Sequence, residues 1–470
     1  MDKLKSELKT LKFWSIFTAY IETTLLIHNN TSFQTLEFAL RENHFYNDTT
    51  PERQSEIYSN LYLTITVTSL VLSLIAGFIT DAKGTWWSRC LAQILMFIGI
   101  IAGFFISAER HYLIWIAYPL FYAGGSVNSE SNMLCYILYP TKIGMLSSLT
   151  GLSVAASQAW YLFYKDICIP FENLKLFWGI MLALMPFMVF RTFILLPKLK
   201  VTSHGKQQSL GWKTRKDEYE EFNNLTITSD YEITPMKKQD SVPNSTSTNS
   251  KPKSTLFKEL TRPHIVMLFT WCCISDFRVY LYYSKFQYWL RTKTMDAKYI
   301  SKYTKVFSYC LMSQMIADPL CGFFIDLANR FYRKRLKFDH VKATVLTCAG
   351  SLIVCTFLLT TVSFLQVQDF QPSGWNIISA GISVAFIDSI RFSAKFMFLF
   401  TVIDGEFIPR VMGIGSFFII LVNISLIVAT KLVNQYSDGD WNGLFNVLGY
   451  VTAGSVVLPL GIIYIYFFKK

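Results

Sequence analysis

Twelve apolar stretches, most of them about twenty residues long, run along this 470-residue chain and constrain its fold more than any other feature. Helices of that length cross the hydrocarbon of a bilayer, where no water is present and every backbone N–H and C=O must be satisfied within the helix itself. The stretches lie near residues 11–30, 58–80, 89–108, 112–138, 143–164 and 174–196, and again near 264–284, 303–327, 341–364, 375–403, 411–433 and 443–467. Hydrophobic residues make up 52% of the chain and charged residues 16%, which would leave a water-soluble globule short of polar surface. The predicted fold class is an all-α polytopic membrane protein with twelve transmembrane helices in two six-helix halves.

One polar segment separates the two sets of six. From about Pro197 to Pro263 the chain is rich in Lys, Ser, Thr and Asn, as in SVPNSTSTNSKPKS, a composition that cannot bury a core and predicts a disordered loop. The expected organisation is thus a first half over 1–196, a central loop over 197–263 and a second half over 264–470. Basic residues fix the expected orientation: Lys3, Lys5 and Lys9 precede span 1, Lys83 and Arg89 follow span 2, and Arg330, Arg333, Lys334, Arg335 and Lys337 follow span 8. These loops share one side, which the positive-inside rule makes cytoplasmic, with both termini there and the plasma membrane as the expected location. Lys285, Arg291, Lys293, Lys298 and Lys302 lie on the opposite side and dissent. The first outer loop carries glycosylation sequons at Asn29, Asn30 and Asn47. The net charge of +12 sits in short loops rather than on one face, so it signals topology and not a nucleic-acid polymer. Nine cysteines, nearly all in or beside apolar spans, imply no disulfide framework. The first span lacks a small-residue cleavage site and is expected to be retained.

A repeated motif points to mechanism. Span 2 ends in Gly77-Phe-Ile-Thr-Asp81 before a basic turn with Lys83 and Arg89, and span 8 ends in Gly322-Phe-Phe-Ile-Asp326 before Arg330. A second echo pairs Pro140-Thr-Lys142-Ile-Gly144, ahead of span 5, with Pro409-Arg410-Val-Met-Gly413, ahead of span 11. Glycine lets helices approach closely, and a carboxylate at a helix end can bind a loop cation or a neighbouring helix amino terminus. The expected cytoplasmic gate is Gly77, Asp81, Arg89, Gly322, Asp326 and Arg330. The Gly-to-Asp pattern with trailing basic residues resembles the signature of the major facilitator superfamily, in which two parallel halves rock about a central site.

Longer stretches resemble solute carrier family 43, which contains the equilibrative nucleobase transporter and sodium-independent transporters of large neutral amino acids. The resemblance rests on Glu22 in span 1, Gly124-Gly125 followed by Asn132 in span 4, Arg191-Thr-Phe-Ile-Leu-Leu-Pro197 closing span 6, and Tyr303-Thr304 opening span 8. The Arg191 to Pro197 run is more similar to the nucleobase branch, whereas Arg278 in span 7 is more similar to the amino-acid branch. The resemblance implies facilitated diffusion of a small, largely neutral organic solute, with adenine-like nucleobases first and large neutral amino acids as the alternative.

Ionisable groups at bilayer depth cost on the order of 3 kcal/mol each and normally face protein or a wet cavity. Glu22 is a candidate acceptor for a substrate N–H, or a structural acid held by hydroxyls. Asn128 and Asn132 share a face of span 4 at i, i+4 and offer amide donors and acceptors, either to substrate or between helices. Arg278 is a candidate fork for a carboxylate or a snorkelling cation. Asp388, Arg391 and Lys395 lie on one face of span 10 and are expected to line the cavity as a charged gate or anion site, or to pair with Glu22, Glu130 or Asp318. These seven residues form the expected substrate site. No P-loop, metal-spaced His/Cys cluster, nucleophile elbow or catalytic carboxylate pair occurs, so neither an enzyme nor a cofactor is expected. The expected partners are a small-molecule substrate and the lipid bilayer. A transporter-like receptor or scaffold that moves nothing remains the alternative of another class.

Overall fold

The structure, a computed structural model, describes residues 2–26, 33–42, 45–46, 48–49, 51–107, 109–134, 143–157, 174–195, 256–294, 296–369, 374–403, 407–436 and 441–468. The sequons at Asn29, Asn30 and Asn47, the segment from Pro140 to Lys142 and nearly all of the central loop lie outside these residues. The first half consists of α1 (Asp2–Leu26), α2 (Pro51–Lys83), α3 (Thr85–Phe104), α4 (Ile114–Met133), α5 (Ile143–Ser157) and α6 (Leu174–Phe190), the last continued by a π-helical turn at Arg191–Leu195. The second half consists of α7 (Pro263–Lys293), α8 in two pieces (Ala297–Met312 and Gln314–Arg335), α9 (His340–Val367), α10 (Trp375–Val402), α11 (Ile408–Tyr436) and α12, again in two pieces (Asn442–Gly454 and Val457–Phe467). A short helix, Phe33–Glu42, lies between α1 and α2, and the last residues of the central loop form a helical turn at Leu256–Leu260.

Local chemistry sets the helix ends. Between α2 and α3 the chain turns at Gly84, whose φ of +98° suits a residue without a Cβ. Asp296 and Asp339 cap α8 and α9, accepting from the backbone N–H groups of Lys298 at 2.8 Å and Lys342 at 2.6 Å. Nine helical stretches among the described residues are long and apolar enough to cross a membrane. Those below that mark are α1, α4 and α5, of which α5 is apolar but short. The first begins in a run of lysines and carries Glu22, and α4 carries Asn128, Glu130 and Asn132.

Within the first half α3 packs on α4 and α6, and α2 on α4; within the second, α9 packs on α10 and α12, and α8 on α10. The halves meet where α2 packs against α11 and where α5 packs against α8 and α10. Ring packing fills each half, with Trp178 against Tyr118 and Phe121 in the first, and Phe286 stacked on Phe307 at 4.0 Å in the second. Among the described residues the protein is a multi-pass, all-helical bundle of two six-helix halves.

Candidate functional site

Among the described residues, three polar groupings bear on function: a sealed cluster in the first half, a partly open one in the second, and a set of contacts that tie the halves together at one end.

Glu22 organises the first. Arg89 Nη2 donates to Glu22 Oε1 at 2.5 Å, and Arg191 Nη1 donates to Glu22 Oε2. Both guanidiniums also donate to Asn132 Oδ1, Arg89 at 2.8 Å. The remaining N–H groups find Thr192 Oγ1 (2.9 Å) and Ser131 Oγ (3.0 Å) from Arg89, and Thr18 Oγ1 (3.0 Å) and the Ser15 carbonyl (3.2 Å) from Arg191. This knots α1, α3, α4 and the end of α6 together. Arg89, expected beside Asp81 at the gate, is therefore turned into the bundle. It sits one turn into α3, past the bend at Gly84, and helical rotation directs it away from the loop. Arg191 carried only a family resemblance in the sequence. The signal that singles it out is an arginine in an otherwise apolar α6, where it needs an acid. Asn128 lies apart from the cluster, with its Nδ2 3.4 Å from Met96 Sδ.

In the second half, Arg391 on α10 donates to Asp276 Oδ1 on α7 and, at 2.7 Å, to Asp388 Oδ1 one turn earlier on its own helix. Tyr283 on α7 donates its hydroxyl to Asp388 Oδ2. Asp276, Tyr280 and Tyr283 follow one another at steps of four and three, so a single face of α7 meets α10. Lys395, a further turn along α10, lies 5.6 Å from the Phe396 ring centroid. It is close enough to Glu130 of the first half for the two to interact electrostatically, and Glu130 accepts from Ser416 Oγ of α11 at 3.4 Å. Span 10 thus pairs with α7, an element the sequence did not put forward, and not with Glu22.

Arg278 points elsewhere. Two residues beyond Asp276, it faces α9 and α12, donating to Ser363 Oγ (2.7 Å) and Gln366 Oε1 (2.9 Å) and stacking its guanidinium 5.6 Å from the Phe445 ring centroid.

The third grouping joins the halves. Asp81, closing the Gly-to-Asp run of α2, accepts a salt bridge from Arg410 at the start of α11. Gly77, one turn earlier, lies so close to α11 that an added Cβ would be 2.6 Å from the Pro409 carbonyl. In the matching place Asp326 on α8 accepts from the backbone N–H of Met145, at the amino terminus of α5, at 3.1 Å. A Cβ at Gly144 would meet Asp326 Oδ1 at 2.5 Å, and one at Gly322 would strike the Ser148 side chain. Each Gly-to-Asp run therefore packs against the helix start that carries the second echo in the other half. Arg330 is exposed, one turn beyond Asp326. Beside this contact a small cleft between α2, α4 and α11 is lined by Ala76, Gly77, Thr80, Glu130, Pro409 and Met412. At the opposite end Lys285 of α7 donates to Ser59 Oγ of α2 at 3.2 Å.

No protein-family profile matches the sequence, and no curated protein matches it. Solved structures do match its fold. A bacterial homologue of the iron transporter ferroportin in the outward-facing state aligns at 13% identity with a TM-score of 0.56, covering 96% of this chain and 98% of the homologue. The proton:xylose symporter XylE, a major facilitator superfamily protein bound to 6-bromo-6-deoxy-D-glucose, aligns at 12% identity with a TM-score of 0.60, covering 98% of this chain and 96% of XylE. At such identities the likeness speaks for architecture alone, and it spans both halves: this chain has the major facilitator superfamily fold.

Proposed function

We propose that the protein is a secondary transporter that moves a small organic solute across the membrane by alternating access. One observation carries the reading. The halves are tied at one end by two reciprocal contacts, Asp81 with Arg410 and Asp326 with the start of α5. Such polar end contacts can break and re-form as rigid halves rock, while the packing inside each half stays intact. The solved proteins of like fold named above are transporters, which agrees with it. Gly77, Asp81, Gly322, Asp326 and Arg410 then form the gate.

The substrate site of this reading is the second-half cluster, Asp276, Asp388, Arg391 and Lys395, with Tyr283 and with Glu130 from the first half. Glu22, Asn132, Arg89 and Arg191 act as a brace, since both carboxylate oxygens of Glu22 are already held by guanidiniums. A nucleobase such as adenine is favoured over a large neutral amino acid. Arg278, the guanidinium suited to clamp an amino acid's carboxylate, is turned towards Ser363 and Gln366. The paired donors and acceptors of the second-half cluster suit a heterocycle edge. Uptake of radiolabelled adenine and leucine by the full-length chain in liposomes tests this. Saturable adenine uptake is expected; saturable leucine uptake without adenine would reverse the substrate order, and movement of neither would sink the transport reading for both solutes.

A further inference from the structure

Asp318 is a buried acid that belongs to none of the three groupings and, unlike Glu259, which pairs with Arg262, has no cation beside it among the described residues. Asp318 lies in the second piece of α8, fully buried, just before Pro319 and four residues before Gly322 of the gate run. It faces Gly151 of α5 so closely that a Cβ there would stand 2.8 Å from its Cγ and from both carboxylate oxygens. Neither oxygen has a hydrogen-bond donor among the described residues. Ser389 of α10 and Gln314, one turn earlier on α8, stand beside the carboxyl, but Ser389 donates its hydroxyl to the Ala385 carbonyl at 2.9 Å and neither side chain completes a hydrogen bond to Asp318.

The surroundings hold no free counter-charge among the described residues. Residues 143–157 of α5 include no titratable side chain, and the hydroxyls of Ser147, Ser148, Thr150 and Ser153 each donate to carbonyls of their own helix. From α10 the charged neighbour is Asp388, another acid, whose own cation Arg391 is shared with Asp276. Cys321 on α8 is the remaining titratable neighbour, with Cys355 of α9 beyond it. An ionised carboxylate enclosed without cation or donor is strongly disfavoured, and the group escapes that penalty by taking up a proton.

We propose that Asp318 is a proton-binding site, loaded while α5 packs on α8 and emptied when the halves part and water reaches it. The emptying step rests on the alternating-access reading; the loading does not. Gly151 is what closes the site, because a larger residue would hold α5 away from the carboxyl. A site of this kind links the packed arrangement to acid, since a proton bound in one arrangement alone favours that arrangement as pH falls. It would make the protein a proton-coupled carrier rather than a purely facilitative one.

Infrared difference spectra of the full-length chain in phosphatidylcholine bilayers, stepped between acid and alkaline pH, test the proposal without any substrate. The expected result is a protonated-carboxyl C=O band, shifted in D2O, that is present at neutral pH, is lost reversibly at alkaline pH and is missing from Asp318→Asn. Asp318→Glu, which should move the band rather than remove it, serves if the Asn variant fails to fold. Spectra unchanged by both substitutions, or a band that persists at every pH, would overturn the proposal. Failure of adenine and leucine uptake in the same bilayers would count against the transport reading, while the band alone decides whether Asp318 binds a proton.

Discussion

Each half buries a carboxylate–guanidinium cluster, and the two are built in opposite senses. In the first half one acid, Glu22, lies between two arginines, and all three side chains are 0% exposed. In the second, one arginine lies between two acids, with Arg391 17%, Asp388 10% and Asp276 7% exposed. A sealed cluster whose donors and acceptors are used by four helices suits the proposed brace. A cluster that retains exposure, with Lys395 and Glu130 beside it, can exchange partners. Intramembrane charge by itself therefore does not mark a site; the saturation of its hydrogen bonds separates the two roles.

The largest expected effect breaks the sealed side. Glu22→Ala leaves Arg89 and Arg191 buried without their acid, a loss of about 3–5 kcal/mol for an uncompensated buried charge. Folded, monodisperse protein should nearly disappear in fluorescence-detected size exclusion of a tagged chain. Arg391→Gln should instead leave folded protein and surface level close to wild type, because the amide that replaces the guanidinium still donates hydrogen bonds and the Tyr283 hydroxyl still donates to Asp388. It should lower initial adenine uptake by about tenfold or more, matching about 1.5–3 kcal/mol for a lost charge-assisted hydrogen bond. If Glu22→Ala folded normally, or if Arg391→Gln unfolded the chain, the assignment of brace and site would be reversed.

At the proposed gate, Asp81 is buried but Arg410 is about one-third exposed, so its ion pair is worth about 1 kcal/mol or less. Asp81→Arg should slow uptake by several-fold, and adding Arg410→Asp should restore a good part of it; no recovery in the double variant would argue against the contact. Gly77→Ala should act in the same direction through the Pro409 carbonyl. The smallest effect is expected at Arg278. Arg278→Gln removes a charge that has no acid partner among the described residues and should change adenine uptake by no more than about twofold, the range of a substitution away from the site. A larger loss, with leucine uptake abolished, would bring the amino-acid reading forward.

Most of the architecture was legible in hydropathy, because a bilayer forces one helix for each apolar run. Helix limits were less so: α8 runs from Ala297 to Arg335 around a tight turn at Ser313, well beyond the expected 303–327. Here polar and charged residues extend a helix that hydropathy ends at the membrane. The Gly-to-Asp and Pro-to-Gly echoes were visible as repeats, yet their crosswise pairing between halves is a property of packing. Arg89 shows the limit most clearly. In sequence it belongs to the basic turn after span 2, and only the rotation of α3 after Gly84 turns it inward to Glu22. The i, i+3 pair of Asp388 and Arg391 could be read from spacing, but Asp276 as the third member could not, being 115 positions from Arg391. Asp318 gave no local signal beyond being an acid in an apolar span, for its lack of partners depends on Gly151 of the other half.

If the second-half cluster handles the solute while the first-half cluster holds the bundle, the two functions should separate in a single variant. Adenine uptake into liposomes containing equal amounts of correctly folded wild-type and Arg391→Gln protein makes that separation visible. Saturable uptake by the wild type and near loss of it in the variant, at unchanged thermal stability, is the expected result. Equal uptake by the two proteins would contradict the division of roles.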